Sequence, residues 1–322
     1  MKAKKDRRLF LKHVTLSGLG ISVVPGIAIS KNIAANPVMA KNERSPAHEA
    51  AAHTFNGAYS GDHLRRIAFP IGGIGAGMFC LEGCGAISHM SVHHRPQMFN
   101  EPTMFAAVSV KGIINGAKVI EGPVPEWKIF GRPDTGNGAP MTTYGLPRFR
   151  NIMFNTNFPF GTITLKDEDL PLAVELKGWS PFIPGDADNS SLPVGSLEYH
   201  FTNTSNTKAE AVFSYNSRNF MVTDEQKGTI KKMRNGFVLS QNGTTEKPQL
   251  QGDFAVFTDD TNAVVDHCWF RGGWWDPLTM IWNTIRDGEI KNNPPVESDA
   301  PGASVFVPFS LLPGEKKIIR VL

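Results

Sequence analysis

The feature that most limits the fold of this chain is a repeated alternation of apolar and polar residues between turn residues. Alternation with a period of two is typical of antiparallel strands that bury one face. Eight runs show it: 105–110, 161–165, 172–176, 197–201, 211–215, 236–240, 254–257 and 304–309. Because Pro- and Gly-rich loops separate these runs, they predict an all-β chain folded as a two-sheet antiparallel β-sandwich.

One segment predicts a helix instead. Asp276 and Pro277 supply a cap and a first-turn proline, and Gly288 supplies a stop. The residues between them carry an apolar stripe at helical spacing, formed by Leu278, Ile281, Trp282 and Ile285. The predicted fold is therefore a sandwich with one short helix.

The first forty residues have the build of an export signal. A basic start is followed by an apolar stretch, 14–29, which Ser, Gly and Pro residues loosen. This stretch is too short and too Gly-rich for an ordinary membrane-spanning helix of about 20 residues. Paired arginines followed by Phe-Leu-Lys are typical of the twin-arginine pathway, and the signal residues are Arg7, Arg8, Phe10, Leu11 and Lys12. The alternative interpretation is a basic tail before a buried helix.

Residues after the signal set the predicted boundaries. Val38 and Ala40 are small residues at alternate positions, as a signal peptidase needs, so we expect the mature chain to begin near Lys41. Residues 41–63 are polar and Ala-rich without periodicity and are predicted to be a linker, followed by one domain over 64–322. The signal predicts a periplasmic or extracellular protein that meets a membrane only during export.

The charge balance argues against a nucleic-acid partner. The chain has 33 Lys and Arg against 30 Asp and Glu, but residues 1–40 hold seven of the bases and one of the acids. The remainder is slightly acidic, so it offers no basic surface for nucleic acid or for an anionic membrane.

Two motifs that could hold a cofactor or a metal are weak. The glycines of 72–77 resemble a dinucleotide loop, but Met78 stands where the last glycine of G-x-G-x-x-G is needed. We interpret them as permitting tight packing between strands. Four nearby side chains could form a metal site, namely His89, His93, His94 and Glu101. No helix is predicted in this segment to fix the geometry of these ligands. No cofactor and no metal are predicted.

Three cysteines allow at most one internal disulfide. Cys80 and Cys84 could be joined across a tight turn, with Cys268 left over. We favour three reduced and buried thiols, since a protein exported in the folded state folds in the reducing cytoplasm.

Two tryptophan segments lie beside carboxylates. They are Glu126-Trp127 and Trp274-Trp275-Asp276. Aromatic rings beside carboxylates could form a platform for a sugar, whereas buried core or interface tryptophans are the commoner explanation.

Several long motifs together resemble one family, over residues 64–322. They are Arg66-Ile-Ala-Phe-Pro-Ile-Gly-Gly-Ile-Gly-Ala-Gly77, Tyr144-Gly-Leu-Pro-Arg-Phe149, Trp179-Ser-Pro-Phe-Ile-Pro-Gly185, Asp188-Asn-Ser-Ser-Leu-Pro193 and Phe270-Arg-Gly-Gly-Trp-Trp-Asp276. The chain resembles the N-terminal domain of glycoside hydrolase family 116, which includes the non-lysosomal glucosylceramidases, or bile-acid β-glucosidases.

The resemblance implies a β-sandwich followed, in complete members, by an (α/α)6 barrel that holds both catalytic carboxylates of a retaining β-glucosidase. No position of this sequence corresponds to them, so no catalytic residue is predicted. The expected partners are that barrel and, through it, a β-glucoside. Candidate contacts with the barrel or the sugar cleft are Arg271, Trp274, Trp275 and Asp276, with His93, His94 and Arg95 as a weaker group.

The C-terminus suggests a missing part. Leu322 ends an apolar predicted strand that follows a Pro-Gly turn, whereas natural chain ends are usually exposed and polar. We therefore expect the N-terminal part of an exported β-glucosidase, which braces the catalytic barrel. The alternative is a free-standing exported module that binds a carbohydrate or a protein without catalysis.

Overall fold

The computed structural model describes Thr54 and residues 57–129, 142–223 and 228–322. They belong to one compact unit, Ala50–Leu322. The predicted export signal and residues 41–53 of the predicted linker lie outside the described residues. Of the helices that the structure describes, none is long and apolar enough to cross a membrane.

The described chain is mostly β-structure, as the alternation predicts. Its strands are β1 (Ala68–Ile71), β2 (Met78–Glu82), β3 (Ile87–Ser91), β4 (Met104–Val110), β5 (Ala117–Val119), β6 (Asn151–Asn157), β7 (Phe160–Lys166), β8 (Leu172–Trp179), β9 (Ser196–Asn203), β10 (Ala209–Arg218), β11 (Gly228–Met233), β12 (Gly236–Gln241), β13 (Gly252–Phe257), β14 (Val264–Asp266), β15 (Gly302–Leu311) and β16 (Lys316–Val321). All eight predicted runs lie within strands, and the predicted terminal strand is β16.

The helices are α1 (Glu126–Ile129), α2 (Ala187–Ser190) and α3 (Pro277–Arg286), and 3-10 turns lie at Gly61–Arg66 and Pro248–Leu250. The predicted helix is α3, and Gly288 follows it with a φ of 66°. The prediction of a single helix is wrong, because the structure also contains α1 and α2. Each of these is a single turn, too short to show an apolar stripe in the sequence.

The strands pair into four antiparallel sheets rather than two. Their strand orders are β1-β2-β3, β14-β15-β10-β4-β5, β11-β12-β13 and β16-β9-β8-β7-β6. The two-sheet prediction is therefore only partly right, because the small sheets are arranged like a four-bladed propeller rather than strictly as a sandwich. Alternation shows that a strand is half-buried, but it does not show which strands pair.

The two five-stranded sheets share an aromatic core. On β9, the ring of Tyr199 lies 4.9 Å from that of Phe213 on β10. Phe201, also on β9, lies 5.9 Å from Phe213 and 4.9 Å from Phe309 on β15. The alternating sequence explains why one face of such a strand is buried in this core. Along the whole length of β8, buried residues alternate with partly exposed ones.

Strand β4 is buried on both faces. All seven of its residues are buried. Met104, Ala106, Val108 and Val110 join the main core. Phe105 and Ala107 belong to a second cluster that contains the apolar stripe of α3. The sheet therefore carries α3 on the face opposite the main core.

Strand β16 closes one edge of its sheet. It pairs along its length with β9, and Ile319 and Val321 are buried. Leu322 exchanges two backbone hydrogen bonds with Phe257 of β13, at 2.9 and 3.1 Å. The last residues thus link two of the four sheets.

All three cysteines are buried and free, as predicted. Burial, together with the neighbouring Glu82, raises the pKa of Cys80 to about 11. Because the thiolate is the reactive form, this thiol is inert at neutral pH.

The glycines of 72–77 form the turn between β1 and β2, as the packing interpretation predicts. A side chain added at Gly73 would place its Cβ 2.4 Å from the carbonyl oxygen of Leu192. The backbone N–H of Ile74 donates to the carbonyl of Ser190 at 2.9 Å. Two of the motifs that resemble the family, 66–77 and 188–193, therefore pack against each other. Their backbones are in direct contact at Gly73, so there is no room for a methyl group.

We predict that Gly73→Ala lowers the free energy of unfolding by about 1–3 kcal/mol, because an added methyl group forces backbone apart in a packed region. Gly145→Ala is the matched control, since nothing lies within 4 Å of a Cβ built there. Urea unfolding measures both. Equal midpoints for the two variants would show that the turn tolerates a side chain.

Candidate functional site

The first predicted contact segment, 271–276, leads directly into helix α3. The Asp276 carboxylate caps α3 by accepting from the backbone N–H of Thr279 at 2.9 Å and from its hydroxyl at 2.6 Å. These hydrogen bonds lower the pKa of Asp276. Leu278, Ile281 and Ile285 of α3 are buried in the second cluster. The loop before α3 is therefore fixed at its base.

The tryptophans of this segment face solvent. Trp274 is 96% exposed and Trp275 is 63% exposed. Arg271 and Asp276 are exposed as well. Large exposed aromatic groups at one place are typical of interaction sites. Of the two explanations given for these tryptophans, burial in the core is wrong, since both are exposed, whereas a place in an interface is not tested; the buried tryptophan near this segment is Trp269.

The second predicted segment lies in the loop after β3. His94 and Arg95 are exposed, whereas His93 is partly buried and its Nδ1 lies 2.8 Å from Oε1 of Gln97. The Nε2 atom of His93 is buried and has no hydrogen-bond partner in the described part of the chain. The backbone is left-handed at His89, His94 and Phe99, with φ of 55°, 57° and 60°. Strained non-glycine backbone of this kind concentrates at functional sites.

An aromatic row extends from this loop to α1. The ring of His89 lies 5.4 Å from that of Phe99, which lies 6.5 Å from Trp127. Phe99 is 73% exposed and Trp127 is 48% exposed. The Nε1 of Trp127 donates a hydrogen bond to the carbonyl of Arg65 at 3.0 Å. Trp127 also lines an open groove of about 690 Å³. Trp127 is therefore also on the surface rather than in the core.

A buried lysine fixes α1. The Nζ atom of Lys128 lies 2.6 Å from a carboxylate oxygen of Glu82 and 2.6 Å from one of Glu101. Burial alone would lower the pKa of Lys128, but the attraction of Glu82 and Glu101 outweighs it and raises the pKa. The hydroxyl of Tyr144 donates to the same Glu101 oxygen at 3.0 Å. These side chains form the Lys128 cluster: Glu82, Glu101, Lys128 and Tyr144.

A second buried ion pair holds the loop that carries Tyr144. Arg148 lies 3.4 Å from a carboxylate oxygen of Glu121 and donates to the carbonyls of Thr143, Tyr144 and Leu146 at 2.6, 3.1 and 2.9 Å. Burial raises the pKa of Glu121, and Arg148 offsets this only in part. The loop 142–149 is therefore wrapped around one guanidinium group.

The loop 142–149 connects the two predicted segments. Leu146 packs against the cluster that contains α3, while Tyr144 binds Glu101 at the end of the other loop. No hydrogen bond or ion pair of the described residues joins 271–276 to His93, His94 or Arg95 directly. The structure thus links the segments through a shared support.

The buried charges were not predicted from the sequence. Lys128 meets Glu82 and Glu101, which are distant in the chain, so no local spacing shows the cluster. The available signals were a lysine between two large apolar residues, Trp127 and Ile129, and the 144–149 motif itself.

Glu82, Glu101 and Glu121 are not arranged as a glycosidase pair. Two acids with a sugar between them are needed, but Glu82 and Glu101 share Lys128, and Glu121 pairs with Arg148. The cavity beside Glu101 and Glu121 has a volume of about 10 Å³, room for a single water molecule. Among the residues that the structure describes, no three His, Cys, Asp or Glu side chains are grouped to hold a metal ion.

The described residues thus form a mostly β domain with paired buried charges and two loops that expose aromatic side chains. Residues 68–322 match the family model described as beta-glucosidase 2, glycosyl-hydrolase family 116 N-term. The chain therefore belongs to glycosyl-hydrolase family 116, as its N-terminal domain. No curated protein matches it. An N-terminal domain of this family implies a separate catalytic domain as its partner.

We predict that Lys128→Met lowers the free energy of unfolding by about 3–5 kcal/mol, because the buried Glu82 and the partly buried Glu101 lose their cation. Chemical unfolding measures this.

Two variants complete this test. Lys111→Met is the control, because Lys111 is 81% exposed in its ion pair and should change stability little. Replacing Glu82 and Glu101 by Gln in the Lys128→Met background should recover part of the loss. A Lys128→Met variant as stable as the parent would refute a structural role for the cluster.

Proposed function

We propose that this chain is the N-terminal part of an exported glycoside hydrolase of the β-glucosidase or glucosylceramidase type. In this role it braces the catalytic (α/α)6 barrel, borders the sugar cleft and is not catalytic alone. The two facing five-stranded sheets serve as its sandwich body. The observation that carries the proposal is the nearly complete exposure of Trp274 on a capped loop, in a domain whose family implies a catalytic partner.

The exposed tryptophan gives the docking its driving force. Burying a tryptophan removes roughly 150–250 Å² from water, worth about 4–6 kcal/mol before the costs of association. Because Asp276 and α3 already order the loop, little further entropy is lost on docking. Trp274 and Trp275 are therefore the central anchors, with Arg271 beside them.

The loop with His93, His94 and Arg95 forms the second contact of the proposal. It carries exposed Phe99 next to Trp127, and the Lys128 cluster holds its end in place. Because loop 142–149 supports both segments, they can present one preformed surface to a partner.

The alternative is a free-standing exported module that binds a carbohydrate or a partner protein. The tryptophan beside the charged groove at Glu126 favours it, since aromatic and charged groups meet there in an open site. A docking experiment separates the two proposals, because only the first requires a catalytic domain.

We predict that the purified chain binds the separately purified catalytic domain of a complete family 116 member and that Trp274→Ala weakens this binding at least tenfold. Isothermal titration calorimetry measures the affinity. Ile114→Ala is the control, because Ile114 is 89% exposed on a different loop. The chain alone should release no p-nitrophenol from p-nitrophenyl β-glucoside.

Two outcomes would contradict the docking proposal. An unchanged affinity in Trp274→Ala would remove the proposed anchor. Sustained turnover by the chain alone, abolished by changing one carboxylate, would make it an enzyme in its own right.

We also propose export through the twin-arginine pathway, to the periplasm or the extracellular space. The support is the motif that contains Arg7, Arg8, Phe10, Leu11 and Lys12, together with three buried free cysteines that need no oxidising compartment to fold.

We predict that the whole chain, tagged at its C-terminus in a bacterium with this pathway, loses its signal peptide and leaves the cytoplasm. The double variant Arg7→Lys/Arg8→Lys should stay inside and unprocessed, because the receptor requires the arginine pair. Fractionation and immunoblotting report both, with Lys4→Arg/Lys5→Arg as the charge-matched control. Equal export of the two double variants would refute the pathway.

A further inference from the structure

The buried charges around Glu121 do not balance. Glu121 follows β5, and its side chain is 7% exposed. In the described part of the chain, the charged groups that act on it are two carboxylates, Glu82 and Glu101, and two cations, Lys128 and Arg148. Three acids therefore share two bases, so one carboxylate has no cation of its own.

The charge of Lys128 is committed to the other two carboxylates. Its Nζ atom lies 2.6 Å from an oxygen of Glu82 and 2.6 Å from one of Glu101. Among the ion pairs of the described residues, Glu121 takes part only in the one with Arg148, at 3.4 Å. Hydrogen bonds between such charged groups are ordinarily about 2.7–2.9 Å long. Glu121 therefore has the weakest pairing of the three acids.

Arg148 binds its own loop more closely than it binds Glu121. Its Nη1 donates to the carbonyls of Thr143, Tyr144 and Leu146 at 2.6, 3.1 and 2.9 Å, and its Nη2 donates to the hydroxyl of Thr143 at 2.7 Å. Both of its bonds to Glu121, from Nε and Nη2, are 3.4 Å long. The guanidinium group thus compensates Glu121 only in part.

The other titratable groups that face Glu121 are neutral. They are the thiol of Cys84, in the turn between β2 and β3, and the hydroxyls of Tyr199 on β9 and Tyr215 on β10. Burial raises the pKa of each, so none is charged at neutral pH. The cavity beside Glu101 and Glu121 has a volume of about 10 Å³, so it cannot hydrate a carboxylate as bulk water does.

A buried carboxyl group without full compensation keeps its proton. Burial raises the pKa of Glu121, and repulsion from Glu101 and Glu82 adds to this effect. Arg148 and Lys128 act in the opposite direction, but they do not outweigh it. Once Glu121 is protonated, two carboxylates remain for two cations and the charges of the cluster balance.

We propose that Glu121 is a proton-sensitive latch for the loop 142–149. The loop closes around Arg148 while Glu121 is protonated. At higher pH the carboxyl group gives its proton to water, and the resulting carboxylate has to be hydrated. Because the adjoining cavity has room for a single water molecule, hydration requires the loop to loosen.

The latch sets the direction of the pH effect. In the unfolded chain Glu121 has the ordinary pKa of a glutamate, about 4.3. Because the pKa is higher in the folded chain, the folded chain binds a proton that the unfolded chain has released. The contribution of Glu121 to stability is therefore fully present below the unfolded pKa and is lost as the pH rises through the folded pKa.

The first test compares the parent with Glu121→Gln, which keeps the shape of the side chain but cannot ionise. Urea unfolding of both is measured from about pH 5 to about pH 9, where an exposed glutamate is ionised. The ratio of the parent's unfolding constant to that of the variant should rise with pH, by at most tenfold per pH unit, the limit for one proton. Because the ratio compares two chains at the same pH, the titration of all other groups cancels.

Asp186→Asn is the matched control. It also replaces a carboxyl group by an amide, but hydrogen bonds from Asn189 lower the pKa of Asp186. Asp186 is therefore charged throughout this pH range in both the folded and the unfolded chain. The corresponding ratio for Asp186→Asn should stay level.

Two further measurements examine the parent directly. The ¹³C resonance of the Glu121 carboxyl group, assigned through its own backbone, should titrate above the ordinary pKa of a glutamate. The backbone N–H groups of Leu146 and Phe149, which donate to the carbonyls of Thr143 and Glu121 at 2.9 Å, report on the loop. Their hydrogen exchange should become faster in the parent than in Glu121→Gln as the pH rises.

Three results would overturn the latch. They are a ratio of unfolding constants that stays level for Glu121→Gln, a Glu121 resonance that titrates at or below the ordinary value, and equal exchange at Leu146 and Phe149 in both chains. The carboxyl resonance decides the question even if Glu121→Gln does not fold. All these measurements use the chain alone, so they are independent of docking through Trp274.

Discussion

The burial of both faces of β4 is the constraint on which the rest of this structure depends. One face of the strand completes the core between the five-stranded sheets, and Phe105 on the other face receives α3. Its neighbour β5 extends the sheet and forms a parallel bridge between Val119 and Arg148, so the same strand pair places loop 142–149. The capped loop before α3 and the loop that carries Tyr144 thus stand on one strand pair. A change in β4 would move both candidate contacts together.

Much of the local structure could be predicted from the sequence, because the long strands and α3 carry strong periodic signals. The missed strands lack such signals: β5 has three residues, and β6 contains three asparagines, which disfavour strands in isolation. The number of sheets could not be predicted, since it depends on pairings between distant segments. The exposure of the tryptophans at 127, 274 and 275 could not be predicted either. A tryptophan is more often buried than exposed, and only the folded structure shows that these three face solvent.

One part of the candidate site could be predicted from the sequence and another could not. The exposed segment 271–276 lies in a motif that is recognisable in a single sequence. The ion pairs that support the site are not recognisable, since Lys128 is held by Glu82 and Glu101 from two other segments of the chain. A buried ion pair of this kind is weak evidence for high stability, because desolvation offsets most of the attraction. Its value to this domain lies in orientation, since it allows one geometry for α1 and for the loop that ends at Glu101.

The position of β16 has a consequence for how the domain folds. Ile319 pairs with Tyr199, and β15 pairs with β10, so both five-stranded sheets depend on partners far apart in the chain. Contacts of such long sequence separation are slow to form. Neither sheet can be completed until residues 302–321 have been synthesised, and until then the edge of β9 that β16 covers has unpaired backbone groups. Such an edge can pair with another chain, so the domain is open to aggregation until β15 and β16 have taken their places.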